Sequence, residues 1–181
     1  MNYNELLEQC KDYDTIIVSG PQRSGTTYGT FVIAKDLKYV RVDENAFRVH
    51  KYDTFLEKIK PKSVIQAPAL THKLHHIDSP STLVIFMMRD DKEIEESEDR
   101  IEWHPSGFIG ERRKYYKEFL DYKDVIDLFE RSSPMKKWIW KNYQKDKMQV
   151  DYVEFNYNEL KNSSHWVDSK NRKEFKSKQI K

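Results

Sequence analysis

The chain alternates between short apolar runs and longer segments in which apolar residues recur with helical spacing. The apolar runs are rich in β-branched residues, and several end at a turn signal such as Gly-Pro or a lone proline, a pattern typical of buried strands. The run at Thr82–Met87 is the most apolar, so it should be a central strand buried on both faces. The last run alternates and should lie nearer an edge. The predicted strands are Thr15–Ser19, Tyr39–Val42, Ser63–Ala67, Thr82–Met87 and Val150–Phe155.

Helices are predicted between these strands, and one more short helix is expected in the tail. Strands separated by helices predict a parallel sheet with helices on both faces. The length of 181 residues fits one domain, and no repeat or linker divides the chain. The prediction is therefore a single three-layer α/β domain over residues 1–181. The predicted helices are residues 3–12, 25–36, 51–59, 91–101, 111–130 and 138–146.

Composition narrows the classes of protein. Lys plus Arg is 32 and Asp plus Glu is 30, and this near balance argues against a general nucleic-acid coat. The amino terminus lacks the basic start and apolar core of a signal peptide, and no apolar run reaches the roughly 18 residues of a membrane span. The single cysteine, Cys10, suits a reducing compartment. We expect a cytoplasmic protein without a membrane or nucleic-acid partner.

The segment Ser19–Tyr28 carries the strongest chemical signal. It follows an apolar strand and precedes a helix, so backbone N–H groups and the helix dipole at the helix start favour an anion. Gly20 and Gly25 have the spacing of the nucleotide-triphosphate loop G-x-x-x-x-G-K-[ST], but Thr26 stands where that loop has its lysine. This difference argues against ordinary ATP or GTP hydrolysis. The alternative is a plain strand-to-helix turn.

The same loop resembles that of a known family. Arg23-Ser24-Gly25-Thr26-Thr27 is similar to the 5′-phosphosulfate loop of sulfotransferases that use 3′-phosphoadenylyl sulfate (PAPS), written [KR]-S-G-T-[TS]. The arginine form is closer to the carbohydrate and tyrosylprotein branches than to the small-phenol branch. The resemblance implies the P-loop fold, and it implies that residues 23–27 bind the donor. Tyr28 takes the place of an aromatic residue near adenine, although core packing is the alternative.

A second pair of residues strengthens the resemblance. Arg89 ends the strand that begins at Leu83, and Ser97 follows eight residues later. Sulfotransferases place such an Arg and Ser on the 3′-phosphate of the donor, and a guanidinium offers a planar fork to phosphate oxygens. The family's proline after the arginine is missing, and the acidic residues that follow would oppose an anion unless they point away. These acids are Asp90, Asp91, Glu93, Glu95 and Glu96.

Two weaker similarities lie downstream. Phe155–Leu160 resembles the strand-end "RYEDL" segment of the family, which supports the fold rather than the chemistry. Arg172 and Lys173 resemble the basic pair that sulfotransferases place on the 3′-phosphate, but the surrounding glycines are missing.

Sulfuryl transfer needs a cation beside the leaving group and a base for the proton of the acceptor. Arg23 is the candidate cation. Glu44 is the first candidate base, because it follows the second strand and because the tyrosylprotein branch has a catalytic glutamate at the same distance from its loop arginine. Asp43 is the neighbouring alternative, and His72 is the second choice. The scheme requires no metal, and a zinc site at residues 72–76 is a weak alternative because no cysteine or acid converges on the three histidines.

Three functions follow from these residues. The first is a sulfotransferase that moves a sulfuryl group from PAPS to a hydroxyl or amine of a small-molecule or carbohydrate acceptor and releases 3′,5′-adenosine bisphosphate (PAP). The second is a P-loop kinase for a small metabolite, with Arg100, Arg112 and Arg113 as lid cations. The third is an inactive nucleotide-binding protein on the same fold.

Overall fold

The computed structural model describes residues 1–47, 51–101, 110, 113, 114, 116–118 and 123–167. Its centre is a five-stranded sheet in which every pairing is parallel. The strand order is β2-β3-β1-β4-β5, which confirms the three-layer α/β prediction, the central position of β4 and the edge position of β5. The strands are β1 (Thr15–Ser19), β2 (Val40–Val42), β3 (Ser63–Gln66), β4 (Thr82–Met88) and β5 (Asp151–Asn156).

The helices differ from the sequence prediction in the second half of the chain. Within residues 111–130, the described residues 113, 114 and 116–118 are helical, a short helix α5 covers Lys123–Ile126, and residues 127–130 are not helical. Helix α6 begins at Ser132 instead of residue 138. The predicted tail helix lies outside the described residues. No helix in the described ranges is long and apolar enough to cross a membrane. The α-helices with both ends in the described residues are α1 (Tyr3–Cys10), α2 (Thr26–Leu37), α3 (Tyr52–Leu56), α4 (Asp91–Asp99), α5 (Lys123–Ile126) and α6 (Ser132–Ile139).

Shorter helical segments complete the connections. A 3₁₀ helix at Pro68–His76 follows β3 and was not predicted. Helix α6 continues into a π-helical turn at Trp140–Gln144 and a 3₁₀ turn at Lys145–Lys147. Further 3₁₀ turns follow β2 at Glu44–Phe47 and β5 at Tyr157–Asn162.

The sheet is buried on both faces, which explains why its strands are continuous apolar runs. Successive side chains of a strand point to opposite faces. Ile16 and Val18 of β1 therefore pack in one cluster with α1, α2 and the turn after β5. Ile17 packs in the other cluster, with Phe47 and Trp140. The two clusters hold α2 on one face of the sheet and the 3₁₀ helix Pro68–His76 on the other.

The topology determines where a ligand would bind. From β1 the chain runs through α2 to β2 at one edge, returns to β3, and then crosses to β4 on the other side of β1. The connections after β1 and β3 thus leave in opposite directions. Open α/β sheets bind ligands at the carboxyl ends of their strands where this reversal occurs. The loop Gly20–Gly25 lies at this position.

Candidate anion-binding site

The loop after β1 has the backbone of an anion cradle. Arg23 has φ 64° and Gly25 has φ 94°, so two left-handed residues alternate with ordinary ones before α2 begins. This conformation turns successive N–H groups towards a common point. Gly25 is the N-cap of α2 and provides no side-chain cap, so the first-turn N–H groups are left for a ligand.

Contacts within and around the loop hold this shape. The Ser24 hydroxyl donates to the carbonyl of Pro21 at 2.7 Å, so its side chain serves the loop itself. The Thr71 hydroxyl lies 3.2 Å from the Gly20 carbonyl and 3.0 Å from the Ser19 hydroxyl. Gly20 has φ 131°, and a Cβ there would lie 2.8 Å from the carbonyl oxygen of Met87. The loop is therefore wedged between β4 and the 3₁₀ helix after β3.

Tyr157 connects the loop to Arg89. A Cβ at Gly25 would lie 2.1 Å from a carbon of the Tyr157 ring, so the ring covers the glycine directly. The Arg89 guanidinium lies 4.5 Å from the centroid of the same ring, within cation–π range. Sequence reasoning assigned this segment to the fold alone, because nothing local indicates that its tyrosine reaches the loop.

Three arginines converge beside the loop. The guanidinium of Arg23 donates to the hydroxyl of Ser97 at 3.1 and 3.2 Å, and Arg100 donates to the same oxygen at 3.3 Å. Arg89 donates to the Arg23 carbonyl at 3.0 Å. Burial, and then the charges of Arg100 and Arg89, lower the pKa of Arg23. We call these four residues the Ser97 arginine cluster.

The charge of the Ser97 arginine cluster is only partly balanced. Arg89 forms an ion pair with Glu93 at 3.0 Å. Across the described ranges, no ion pair with a carboxylate joins Arg23 or Arg100. Like charges at close range are unfavourable without an anion. Arg100, which the sequence suggested only as a kinase lid residue, thus belongs to the same cluster as Arg89.

The other acids near this cluster have partners outside it, although the charge of buried Glu98 also opposes the lowering of the Arg23 pKa. The Asp90 side chain caps α4 by accepting from the N–H groups of Lys92 and Glu93. Asp91 pairs with Lys137 at 2.8 Å. Glu95 and Glu98 face Arg131, at 3.7 and 3.6 Å. Among these acids, Glu93 is therefore the one whose described ion pair is with Arg89.

A second polar group joins the loop to the ends of β2 and β3. The side-chain amide of Gln66, a buried residue, donates to the Thr27 hydroxyl at 2.9 Å and lies 3.5 Å from a carboxylate oxygen of Glu44. Asp43, the alternative base, instead pairs with Arg41 at 3.1 Å. Glu44 and Thr27 are thus brought together through Gln66, a residue that sequence reasoning did not select.

The histidines lie in a different environment. His72 is buried and packs edge-on against Tyr116, with ring centroids 5.5 Å apart. His75 and His76 have ring centroids 4.1 Å apart, and burial lowers the pKa of His75 to about 4. No cluster of three or more His, Cys, Asp or Glu residues suited to a metal occurs in the part of the chain that the structure describes.

Tyr28 has a core environment. Its hydroxyl donates to the carbonyl of His165 at 3.0 Å and accepts from the N–H of Val167. Its ring meets Trp166 edge-on at 5.0 Å and is 3% exposed. This environment agrees with the core-packing alternative for Tyr28. The Trp166 side chain is more accessible than that of Tyr28.

Arg112, Arg172 and Lys173 lie outside the described residues. Arg113 donates to the carbonyl of Phe129.

Comparison with known proteins shows similarity of structure but not of sequence. No family model and no curated protein matches the chain. Shikimate kinase from Acinetobacter baumannii in complex with shikimate is 12% identical with a TM-score of 0.44, over 83% of this chain and 88% of the kinase. The YorR protein from Bacillus subtilis in complex with phosphorylated GDP is 14% identical with a TM-score of 0.37, over 80% and 86%. At these values, neither likeness assigns an activity to the chain.

Proposed function

We propose that the chain is a sulfotransferase that moves a sulfuryl group from PAPS to a hydroxyl or amine of a small-molecule or carbohydrate acceptor and releases PAP. The observation that carries the proposal is that the loop cradle and the Ser97 arginine cluster are directly joined. Arg23 belongs to both, since its backbone is in the loop and its side chain is on Ser97. A ligand with two separate anionic groups suits such a pair of sites.

The donor PAPS has two separate anionic groups. It carries a phosphosulfate at the 5′ position and a phosphate at the 3′ position, and when bound it supplies an activated sulfuryl group. The N–H groups at the start of α2, with the hydroxyls of Thr26 and Thr27, would hold the 5′ end. Arg89, Ser97 and Arg100 would hold the 3′-phosphate through charge-assisted hydrogen bonds. A ligand with a 5′-triphosphate alone would leave the second site unused.

Glu44 is the proposed base. Gln66 spans the 2.9 Å to Thr27 and the 3.5 Å to Glu44 with one amide nitrogen, and this ties the carboxylate to the loop that would hold the reacting group. A carboxylate there can accept the proton of an acceptor hydroxyl as its oxygen attacks. Loop N–H groups and the charge of Arg23 would stabilise the negative charge that grows on the leaving group. His72 is less suited to this role because its ring packs against Tyr116.

The test is release of PAP from PAPS in the presence of a panel of small hydroxyl and amine acceptors and carbohydrates. Glu44→Gln should keep PAP binding within about twofold and lose about 10²–10⁴ in kcat, the usual contribution of a general base. Asp43→Asn is the matched control, because Asp43 is adjacent but pairs with Arg41. Full activity of Glu44→Gln would remove Glu44 from the mechanism. Magnesium-dependent turnover of ATP without transfer from PAPS would favour a kinase.

A further inference from the structure

The phosphate loop has no lysine of its own, and its arginine is directed to one side. Thr26 stands where a nucleotide-triphosphate loop carries lysine. The Arg23 guanidinium donates hydrogen bonds to the hydroxyl of Ser97 in α4, the helix that follows β4. The opposite side of the loop, next to the segment that follows β3, therefore receives no cation from the loop sequence.

A buried lysine from elsewhere in the chain reaches that side. Lys136 belongs to α6 and is 1% exposed. Its ammonium group donates to the side-chain oxygen of Gln22 at 2.7 Å and to the carbonyl of Pro68 at 2.7 Å. Gln22 is in the loop, and Pro68 begins the 3₁₀ helix two residues after Gln66. The ammonium thus lies between the loop and the end of β3, the strand that carries Gln66.

Burial makes this an unusual position for a lysine. Removal of an ammonium from water costs free energy, which the contacts of the group must offset. Charges in a water-poor site act on a nearby anion more strongly than charges in solvent, which gives a buried cation beside a phosphate loop a function.

We propose that Lys136 supplies the lysine charge of this phosphate loop, delivered by α6 instead of by the loop sequence. It is a positioning residue: it fixes Gln22 and adds positive potential at the 5′ end of the bound ligand, while Arg89, Ser97 and Arg100 bind the 3′-phosphate. The inference rests on the proposed function for the identity of the ligand. Its electrostatic content applies to any ligand with a phosphate in the loop.

The experiment uses the full chain and substitutions that separate charge from hydrogen bonding. Lys136→Gln keeps an N–H donor for Gln22 and Pro68 but removes the charge, and Lys136→Arg keeps the charge. Affinities for PAP and for 3′-AMP, which lacks the 5′-phosphate, are measured by calorimetry at constant salt. Lys145→Gln is the control, because Lys145 forms an exposed ion pair with Glu154 on β5. Thermal unfolding reports the stability of each variant.

Lys136→Gln should weaken PAP binding about tenfold or more and leave 3′-AMP binding within twofold, while Lys136→Arg recovers most of the loss. Equal loss for both ligands, or no loss for PAP, would overturn the inference and leave the proposed function standing. If Lys136→Gln does not fold, Lys136→Met is measured in the same way. If neither folds, the inference requires Lys136→Arg to bind PAP within about threefold of wild type, and a larger loss counts against it.

If wild type binds no PAP, the proposed function fails and inorganic pyrophosphate becomes the probe. Weaker pyrophosphate binding by Lys136→Gln would then support the inference by itself. Equal binding, or no pyrophosphate binding by wild type, would overturn it.

Discussion

Glu93 should limit the affinity of the Ser97 arginine cluster for a phosphate. Its carboxylate lies 3.0 Å from Nε of Arg89, and the two side chains are 42% and 19% exposed respectively. A phosphate that uses Arg89 must displace this carboxylate or bind beside it. Replacing Glu93 by Gln removes the competing charge and keeps a side chain of the same shape.

The size of the effect follows from the exposure of the pair. Ion pairs between partly exposed side chains contribute about 0.2–1 kcal/mol. Relief of about 1 kcal/mol corresponds to roughly fivefold tighter binding. Glu93→Gln should therefore bind PAP up to about fivefold more tightly than wild type. Binding of 5′-AMP, which lacks the 3′-phosphate, should not change.

The matched control is Glu95→Gln. It makes the same change of charge on the same helix, and its carboxylate is 41% exposed, but it faces Arg131 at 3.7 Å instead of Arg89. Calorimetric titration of PAP at constant ionic strength compares the two variants. If Glu93→Gln binds PAP no more tightly than Glu95→Gln, then Arg89 does not bind the 3′-phosphate in the way proposed.

Three further outcomes are expected from the packing. Gly25→Ala should lower the free energy of unfolding in urea by at least about 1–2 kcal/mol, because Gly25 has φ 94° and a Cβ would overlap Tyr157. The control is Gly29→Ala, which should not be destabilising because Gly29 is helical and the nearest atom to its Cβ would be 3.4 Å away. Equal losses in the two variants would contradict this reasoning. Burial lowers the pKa of His75 to about 4 from 6.5, so the unfolded chain takes up a proton first as the pH falls. The free energy of unfolding should therefore fall between about pH 6.5 and about pH 4. A His75→Asn variant with the same pH slope in urea denaturation would refute this. Burial also raises the pKa of Cys10 to about 12, so a thiol reagent at pH 8 should label Cys10 only after unfolding, and rapid labelling of the folded chain would be inconsistent with that burial.

Much of the fold could be predicted because its signals are local. The β-branched run Thr15–Ser19 ends at Gly20-Pro21, and the strand has those bounds. Thr82–Met88 is apolar throughout because both faces of the sheet are covered. The 3₁₀ helix Pro68–His76 is not predicted from the sequence, because Pro68 indicates the end of a strand and the contact of Thr71 with the loop has no local signal.

The second half of the chain was harder to predict for a physical reason. Helix α6 begins at Ser132, although Pro134 lies close behind it, because proline is tolerated in the first turn of a helix. Sequence reasoning placed the start at residue 138, after the proline. Side chains of α6 pack with Tyr116 and Ile126 and bond to Asp91 of α4, and such contacts between distant segments leave little trace in the local sequence.

The candidate site also combines residues that local motifs predict with residues that no local motif indicates. The loop at residues 20–27, Arg89 and Ser97 were selected from local motifs, and Glu44 from its place after a strand. Gln66, Tyr157 and Lys136 were not selected, because each reaches the loop from a distant part of the chain. Their residue types have common structural roles, so only the three-dimensional contacts single them out.

The most direct test of the central claim is calorimetric binding of PAP, compared with magnesium-ATP, to wild type and Arg89→Ala. The account predicts that wild type binds PAP more tightly than magnesium-ATP. It also predicts that Arg89→Ala weakens PAP binding by about tenfold or more, the cost of losing a charged hydrogen-bond donor. Failure of wild type to bind PAP, or PAP binding that is the same in Arg89→Ala, would contradict the account.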